Sequence, residues 1–297
     1  MCRSKSTIPV PEVFAYDGDP SNEVGAPYML IEYIHGTTAK QFGEANHSEP
    51  WSFGTIEQDQ ILREQMAKIQ AEVSSFTFPA IGSLYFSEET NDFFIGPDLA
   101  TGKGPWSSSL EYYRDLSDGL LNTTMTKGNR LTRDSPSFAL PVICNHLLGA
   151  CAEEVAGPFR LTNTDFGPHN ILIDDDFNIV GIIDFDGVMA VPLEAAAQYP
   201  RFSHMTVHPP GFVEAHPLME PRIASERHLL TEYKGYLASH EAERQGGSAV
   251  IAPRLGSTAA VAYDGLLNYA GLVRSRNEKW FASALLMLKD YAKGLAE

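Results

Sequence analysis

Residues 161–186 read LTNTDFGPHNILIDDDFNIVGIIDFD, and this stretch decides the architecture. Two apolar segments, 170–174 (NILID) and 179–184 (IVGIID), flank the polar run Asp175-Asp176-Phe177-Asn178. Apolar runs around turn-forming residues predict a β-hairpin. Its strands run antiparallel, so Asn170 at the start of one and Asp184 at the end of the other share the open end. Asp165 reaches that end along the preceding loop, and Asp186 lies just beyond. Three oxygen-bearing side chains, Asp165, Asn170 and Asp184, are therefore expected to converge.

Carboxylate and amide oxygens in this number suit Mg²⁺, which takes one or two protein oxygens and completes its shell with phosphates and water. The remaining carboxylate, Asp165, can take the proton of a hydroxyl and orient it for attack. An Asp–x4–Asn spacing followed by an Asp on the next hairpin fits phosphoryl transfer, where catalysis is mostly positioning and charge neutralisation.

Outward from the hairpin, 10–16 (VPEVFAY) and 28–34 (YMLIEYI) read as strands around the turn-rich GDPSNEVGAP, and His35-Gly36 breaks the second. Ile61, Leu62, Met66, Ile69, Val73 and Phe76 recur at helical spacing, predicting a helix over 61–76. Residues 80–99 predict two short strands. Helices are expected over about 107–121 and 137–155. The Pro- and His-rich 200–222 reads as loop, followed by helices over 226–243 and from about 259. The expected fold class is α+β: a small sheet-containing cap over residues 1–36 and a mainly helical lobe over 37–297 with one embedded hairpin.

The chain has 297 residues, is 43% hydrophobic and 20% charged, and reads as globular. With 22 Lys+Arg against 38 Asp+Glu its net charge is −16. Such a surface repels phosphate backbones and anionic lipid, which argues against nucleic-acid and membrane-surface roles. Cys2, Cys144 and Cys151 match neither a disulfide framework nor a metal motif. With no apolar run long enough to span a bilayer and no signal-peptide core, a soluble, cytoplasmic protein is expected. Asn46-His-Ser48 and Asn122-Thr-Thr124 fit the glycosylation triplet, which matters only in a secreted protein.

The segment 161–186, with PVPEVFAYD…NEVGAPYMLIEYIHG upstream, resembles the aminoglycoside phosphotransferase and choline kinase-like family, a branch of the protein-kinase-like superfamily. The similarity runs from about Ile8 to Ala197. It implies a two-lobe kinase-like fold and transfer of the γ-phosphate of ATP, or GTP, to a hydroxyl of a small-molecule acceptor. By the resemblance Asp165 is the catalytic base, Asn170 and Asp184 hold Mg²⁺, and the backbone around Glu32, Tyr33 and Ile34 meets the nucleotide base. Asn163 stands where the family usually has a bracing His, and Asp186 supports the metal-binding end.

Only 27 residues precede Tyr28, whereas the family's phosphate-covering loop, strand lysine and helix glutamate lie upstream of the hinge. Lys5 is the only lysine before it and does not match that position. An incomplete gene model is the preferred explanation. A natural truncation or a missing part supplied by a partner are the others, and the second reading is a catalytically inactive kinase-like binding or scaffold protein. Oligomeric state and acceptor identity are not written in these residues.

Rival readings of single motifs are weaker. Asp174-x-Asp176-x-Asn178 begins like a calcium loop, but Ile179 and Phe185 occupy the positions that need Gly and Glu. His204, His208 and His216 match no zinc spacing and suit an acceptor-specificity loop better. His169 reads as an ordinary loop histidine. Asp165 with Asp184 as a glycosidase pair would explain neither Asn170 nor the hinge-like EYIHG. Tyr112, Tyr113, Trp280 and Phe281 read as core, and Glu153, Glu154, Asp174 and Asp175 as solvated surface.

Overall fold

The computed structural model describes residues 6–45, 53–87, 89–127, 139–152, 155–200, 205–209, 211–244, 246–268, 282 and 284–290. Cys2, Lys5, Asn46, Glu153, Glu154, His204, Trp280 and Phe281 lie outside them.

The two N-terminal strands form as expected. β1 (Val13–Asp17) pairs antiparallel with β2 (Tyr28–Ile31), Asp17 opposite Tyr28 and Val13 opposite Ile31. Their loop is tied internally, with Ser21 N and Oγ donating to Asp19 Oδ1 at 2.8 and 2.7 Å. Phe14, Tyr16, Met29 and Leu30 remain exposed on this ribbon.

β3 (Thr37–Thr38) and α1 (Ala39–Ala45) lead into α2 (Ile56–Ser75). The last begins five residues before the apolar pattern because Thr55 and Gln58 form a capping box: Gln58 N donates to Thr55 Oγ1 and Thr55 N to Gln58 Oε1. Then come β4 (Thr77–Phe78), β5 (Gly82–Ser87), β6 (Asp92–Gly96), α3 (Ser109–Lys127) and α4 (Leu140–Cys151). β7 (Phe159–Asn163) precedes the hairpin β8 (Ile171–Ile173) and β9 (Ile179–Ile182), which β10 (Val188–Val191) follows. The chain continues through α5 (Leu193–Ala196), α6 (Phe212–Ala215), a 3₁₀ turn at Pro217–Met219, α7 (Glu220–Arg244), a second at Ala252–Arg254, and α8 (Thr258–Leu267).

Two sequence expectations are corrected. The body holds more than one hairpin: β4, β7, β10, β5 and β6 form a five-stranded antiparallel sheet in that order, and β3 joins β8–β9 in a second sheet. β4, β7 and β10 are two to five residues long and pair with partners far along the chain, so no local alternation announces them. The supposed loop 200–222 carries α6, a 3₁₀ turn and the start of α7. There Phe212 stacks between His208 and His216, with ring centroids 4.4 and 4.3 Å apart. Among the described residues no group of three or more His, Cys, Asp or Glu converges as a metal site.

The main core joins Leu62 and Met66 of α2, Leu147 and Leu148 of α4, Phe159 of β7, and Tyr233 and Leu237 of α7. Tyr112 and Tyr113 are buried in it, as expected. A second, smaller cluster unites Ile8 and Val10 with Ile69 of α2 and Ile182 of β9. Ile182 N donates to Pro9 O at 2.7 Å, so the N-terminal segment runs beside the hairpin. Buried Glu72 secures the arrangement, accepting from Thr7 N and Oγ1 at 2.5 and 2.7 Å and from Arg244 Nη2 at 2.5 Å. One α2 carboxylate thus ties the N-terminal segment to the end of α7.

Candidate active site

β7 ends at Asn163, and the chain turns sharply after it. Phe166 N donates to Asn163 O, and Asn170 N to Gly167 O at 3.0 Å. Between these bonds Asp165 sits half exposed in the turn. Thr164 fastens the turn to the far side of the hairpin, its N and Oγ1 both meeting Gly187 O at 3.0 Å. From the other flank Lys40 N, at the start of α1, donates to Pro168 O at 3.0 Å.

The hairpin brings Asn170 and Asp184 to one end through its backbone. Ile171 faces Ile182, and Ile183 N donates to Asn170 O at 3.0 Å. Asp184 follows, exposed and in the left-handed region at φ 62°. Asn170 is buried, and its Nδ2 donates to both the backbone O and Oδ2 of Asp165 at 3.2 Å each. With its NH₂ committed, its Oδ1 is the atom left for a cation. An amide oxygen at the foot of β8 and the exposed carboxylates of Asp184 and Asp186 beyond the end of β9 are hard-oxygen donors of the kind Mg²⁺ takes, so the chemistry of these residues fits that ion. Asp186 N lies 3.4 Å from Asp184 Oδ1.

Asn163 bridges the two halves. Its Oδ1 accepts from Asp165 N at 3.0 Å, and its Nδ2 reaches Asp184 O at 3.4 Å. Gly187 makes this junction possible, because a Cβ there would stand 2.7 Å from Thr164 Oγ1 and 3.1 Å from Asp165 N.

Glu32, Tyr33 and Ile34 follow β2. Glu32 N donates to Glu12 O at 2.8 Å, and its carboxylate accepts from Glu12 N at 3.1 Å. Tyr33 is 79% exposed, with its ring edge-on to His35. The three residues line a cavity of about 260 Å³ with Ile8, Pro9, Val10, His35 and Val180. Ile34 meets the hairpin where β9 carries Gly181: a Cβ there would be 2.8 Å from Ile34 Cδ1. The segment after β2 therefore packs against β9, while Asp165, Asn170, Asn163 and the Asp184 backbone form one bonded group.

His169, read from the sequence as an ordinary loop histidine, makes a contact that reading did not anticipate. Its Nε2 lies 3.1 Å from Asp165 Oδ2. The signal was the i, i+4 spacing from Asp165, which in a turn does not by itself specify a contact.

The two-stranded ribbon, the five-stranded sheet and the three-stranded sheet that holds the hairpin, with the helices packed around them, make a mixed helix-and-sheet fold. Residues 3–194 match the Phosphotransferase enzyme family (APH), and the chain belongs to that family. It is 34% identical over 104 residues to a subtelomeric hrmA-associated cluster protein of Aspergillus fumigatus, covering 32% of this chain and 19% of that protein. It is 25% identical over 253 residues to altered inheritance of mitochondria protein 9 of Clavispora lusitaniae, covering 67% of this chain and 41% of that protein. The chain therefore spans less than half the length of these relatives. Among solved structures, one from Ralstonia eutropha, described as a candidate aminoglycoside phosphotransferase, superposes with a TM-score of 0.50 at 13% identity. That match covers 95% of this chain and 79% of that one and is a likeness of fold. No helix among the described residues is long and apolar enough to cross a membrane.

Proposed function

We propose that this chain carries the phosphoryl-transfer core of a small-molecule kinase, moving the γ-phosphate of ATP or GTP to a hydroxyl of a small-molecule acceptor. Asp165 takes the acceptor's proton as its oxygen bonds to phosphorus and the bond to the nucleoside diphosphate breaks. Asn170 and Asp184 would hold Mg²⁺. When bound, that ion neutralises charge on the phosphate oxygens. The backbone of Glu32, Tyr33 and Ile34 faces the nucleotide base across the cavity they line. Asn163 braces the Asp165 turn against the Asp184 turn, and Asp186 supports the metal-binding end.

The observation that carries the reading is the pair of bonds from Asn170 Nδ2 to Asp165, which orients the amide and the carboxylate together. In this reading residues 1–36 form the nucleotide-facing cap and residues 37–297 the catalytic lobe. The half-buried Cys151 and buried Cys144 are free thiols, which suits a reducing, cytoplasmic setting.

The test is calorimetric titration of the 297-residue chain with ATP, with and without Mg²⁺, followed by phosphate transfer to a panel of small-molecule alcohols. Mg²⁺-dependent binding lost in Asp184→Ala, together with transfer lost in Asp165→Asn, supports the reading. Binding without transfer to any acceptor or to water points instead to a kinase-like binding protein. A folded chain that binds no nucleotide overturns the proposal.

A further inference from the structure

We propose that His169 is a positioning residue that holds the Asp165 carboxylate in one orientation for proton acceptance; this rests on the reading of Asp165 as the base. His169 Nε2 stands 3.1 Å from Asp165 Oδ2, and Asn170 Nδ2 meets the same oxygen at 3.2 Å. An ionised carboxylate only accepts, so the imidazole nitrogen facing it is the N–H, whatever the charge of the ring. Two donors therefore converge on Oδ2. Oδ1 has no donor among the described residues and remains open to an acceptor hydroxyl.

The terminal torsion of an Asp is broad and roughly two-fold. A carboxylate held from one side only would exchange its oxygens and swing away from the acceptor. Asn170 reaches Oδ2 from the foot of β8, while His169 reaches it from the turn before. The turn itself is fixed by the Lys40 N bond to Pro168 O and by the bond from Asn170 N to Gly167 O. The two donors come from neighbouring residues on a braced backbone, so the carboxylate plane is determined by the loop. Asp165 and His169 are 47% and 45% exposed at their side chains, so a small molecule can reach the pair from solvent. Reacting groups gain most from such orientation, because a small misplacement of the base is felt directly in the rate.

The acceptor need not be identified to test this, since water serves: release of inorganic phosphate from Mg·ATP by the 297-residue chain is the readout. His169→Leu removes the donor; His169→Gln places an amide N–H close to the position of Nε2. His169→Leu should lower kcat by about 3- to 10-fold, the range expected from one hydrogen bond. KM for ATP, its calorimetric affinity and the thermal midpoint should stay at wild-type values. His169→Gln should keep kcat within about 2-fold, since the bond survives. In an Asp165→Asn background His169→Leu should change nothing, because the group it orients is gone.

Unchanged kcat in His169→Leu, an equal loss in His169→Gln, or additive losses in the double variant overturns the proposal. Those outcomes leave the phosphotransferase reading standing while Asp165→Asn is impaired. An unimpaired Asp165→Asn, or a wild-type chain that releases no phosphate, overturns both.

Discussion

The side-chain oxygen of Asn163 accepts the backbone N–H of Asp165 at 3.0 Å, so the last residue of β7 orients the turn that carries the proposed base. The same side chain reaches Asp184 O, which couples that turn to the end of the hairpin. Asn163→Ala removes the acceptor and leaves a half-buried N–H in its place. A destabilisation of about 1 kcal/mol is expected, the usual net value of one hydrogen bond. Urea unfolding of the variant should show it as a lower midpoint with an unchanged slope, and an unshifted midpoint would contradict the bracing role.

Gly187 lies against Thr164 Oγ1, Asp165 N and Asn163 Oδ1 with no space for a methyl group. Gly187→Ala should therefore force the two turns apart. The expected cost is about 1–3 kcal/mol, as for other overpacked sites. Phosphate release should fall with it, because the displaced atoms belong to the Asp165 turn. Full activity and an unchanged thermal midpoint would show that the contact relaxes freely.

Asp165 and Asp184 should fail in different assays. Asp165→Asn keeps the shape of the side chain, removes its basicity and should cut kcat by about 10²–10⁴-fold, the usual worth of a general base. Nucleotide affinity should survive. Asp184→Ala should instead abolish the Mg²⁺ dependence of nucleotide binding in calorimetry. Equivalent defects in both assays for both variants would remove the division of labour.

Burial pushes the Cys144 thiol up to about 12 from an ordinary value of 9.0. The folded chain thus keeps a proton that the unfolded chain begins to release near 8.5. The stabilisation is fully present below about pH 8.5 and is lost as pH rises toward 12, so the unfolding midpoint should be lower at pH 10 than at pH 8. Buried Tyr112, Tyr113 and Tyr233, all pushed well up by loss of solvent, act in the same direction. Iodoacetamide at pH 8 should spare Cys144 in the folded protein and label it in urea, as read by peptide mass mapping. Labelling at a free-thiol rate without urea would refute its burial.

Much of the site was legible in one dimension because it is local. Asp165, Asn170 and Asp184 lie within a loop and one hairpin, and polar turn chemistry between two apolar runs is enough to predict that hairpin. The α+β class followed from the same patterns, and so did most of α2, whose apolar spacing needed only the Thr55 cap to set its true start. Tertiary structure decided the remainder. β4, β7 and β10 are too short to declare themselves and become strands only by pairing with each other across the chain. Ile34 reaches the hairpin only because β9 offers Gly181, a contact across nearly 150 residues. His169 meets Asp165 because a braced turn folds it back, and the sequence spacing alone does not say so. The physical reason is common to all three. Periodicity and turn preference act over a few residues, whereas pairing and close approach depend on which distant surfaces the whole chain presses together.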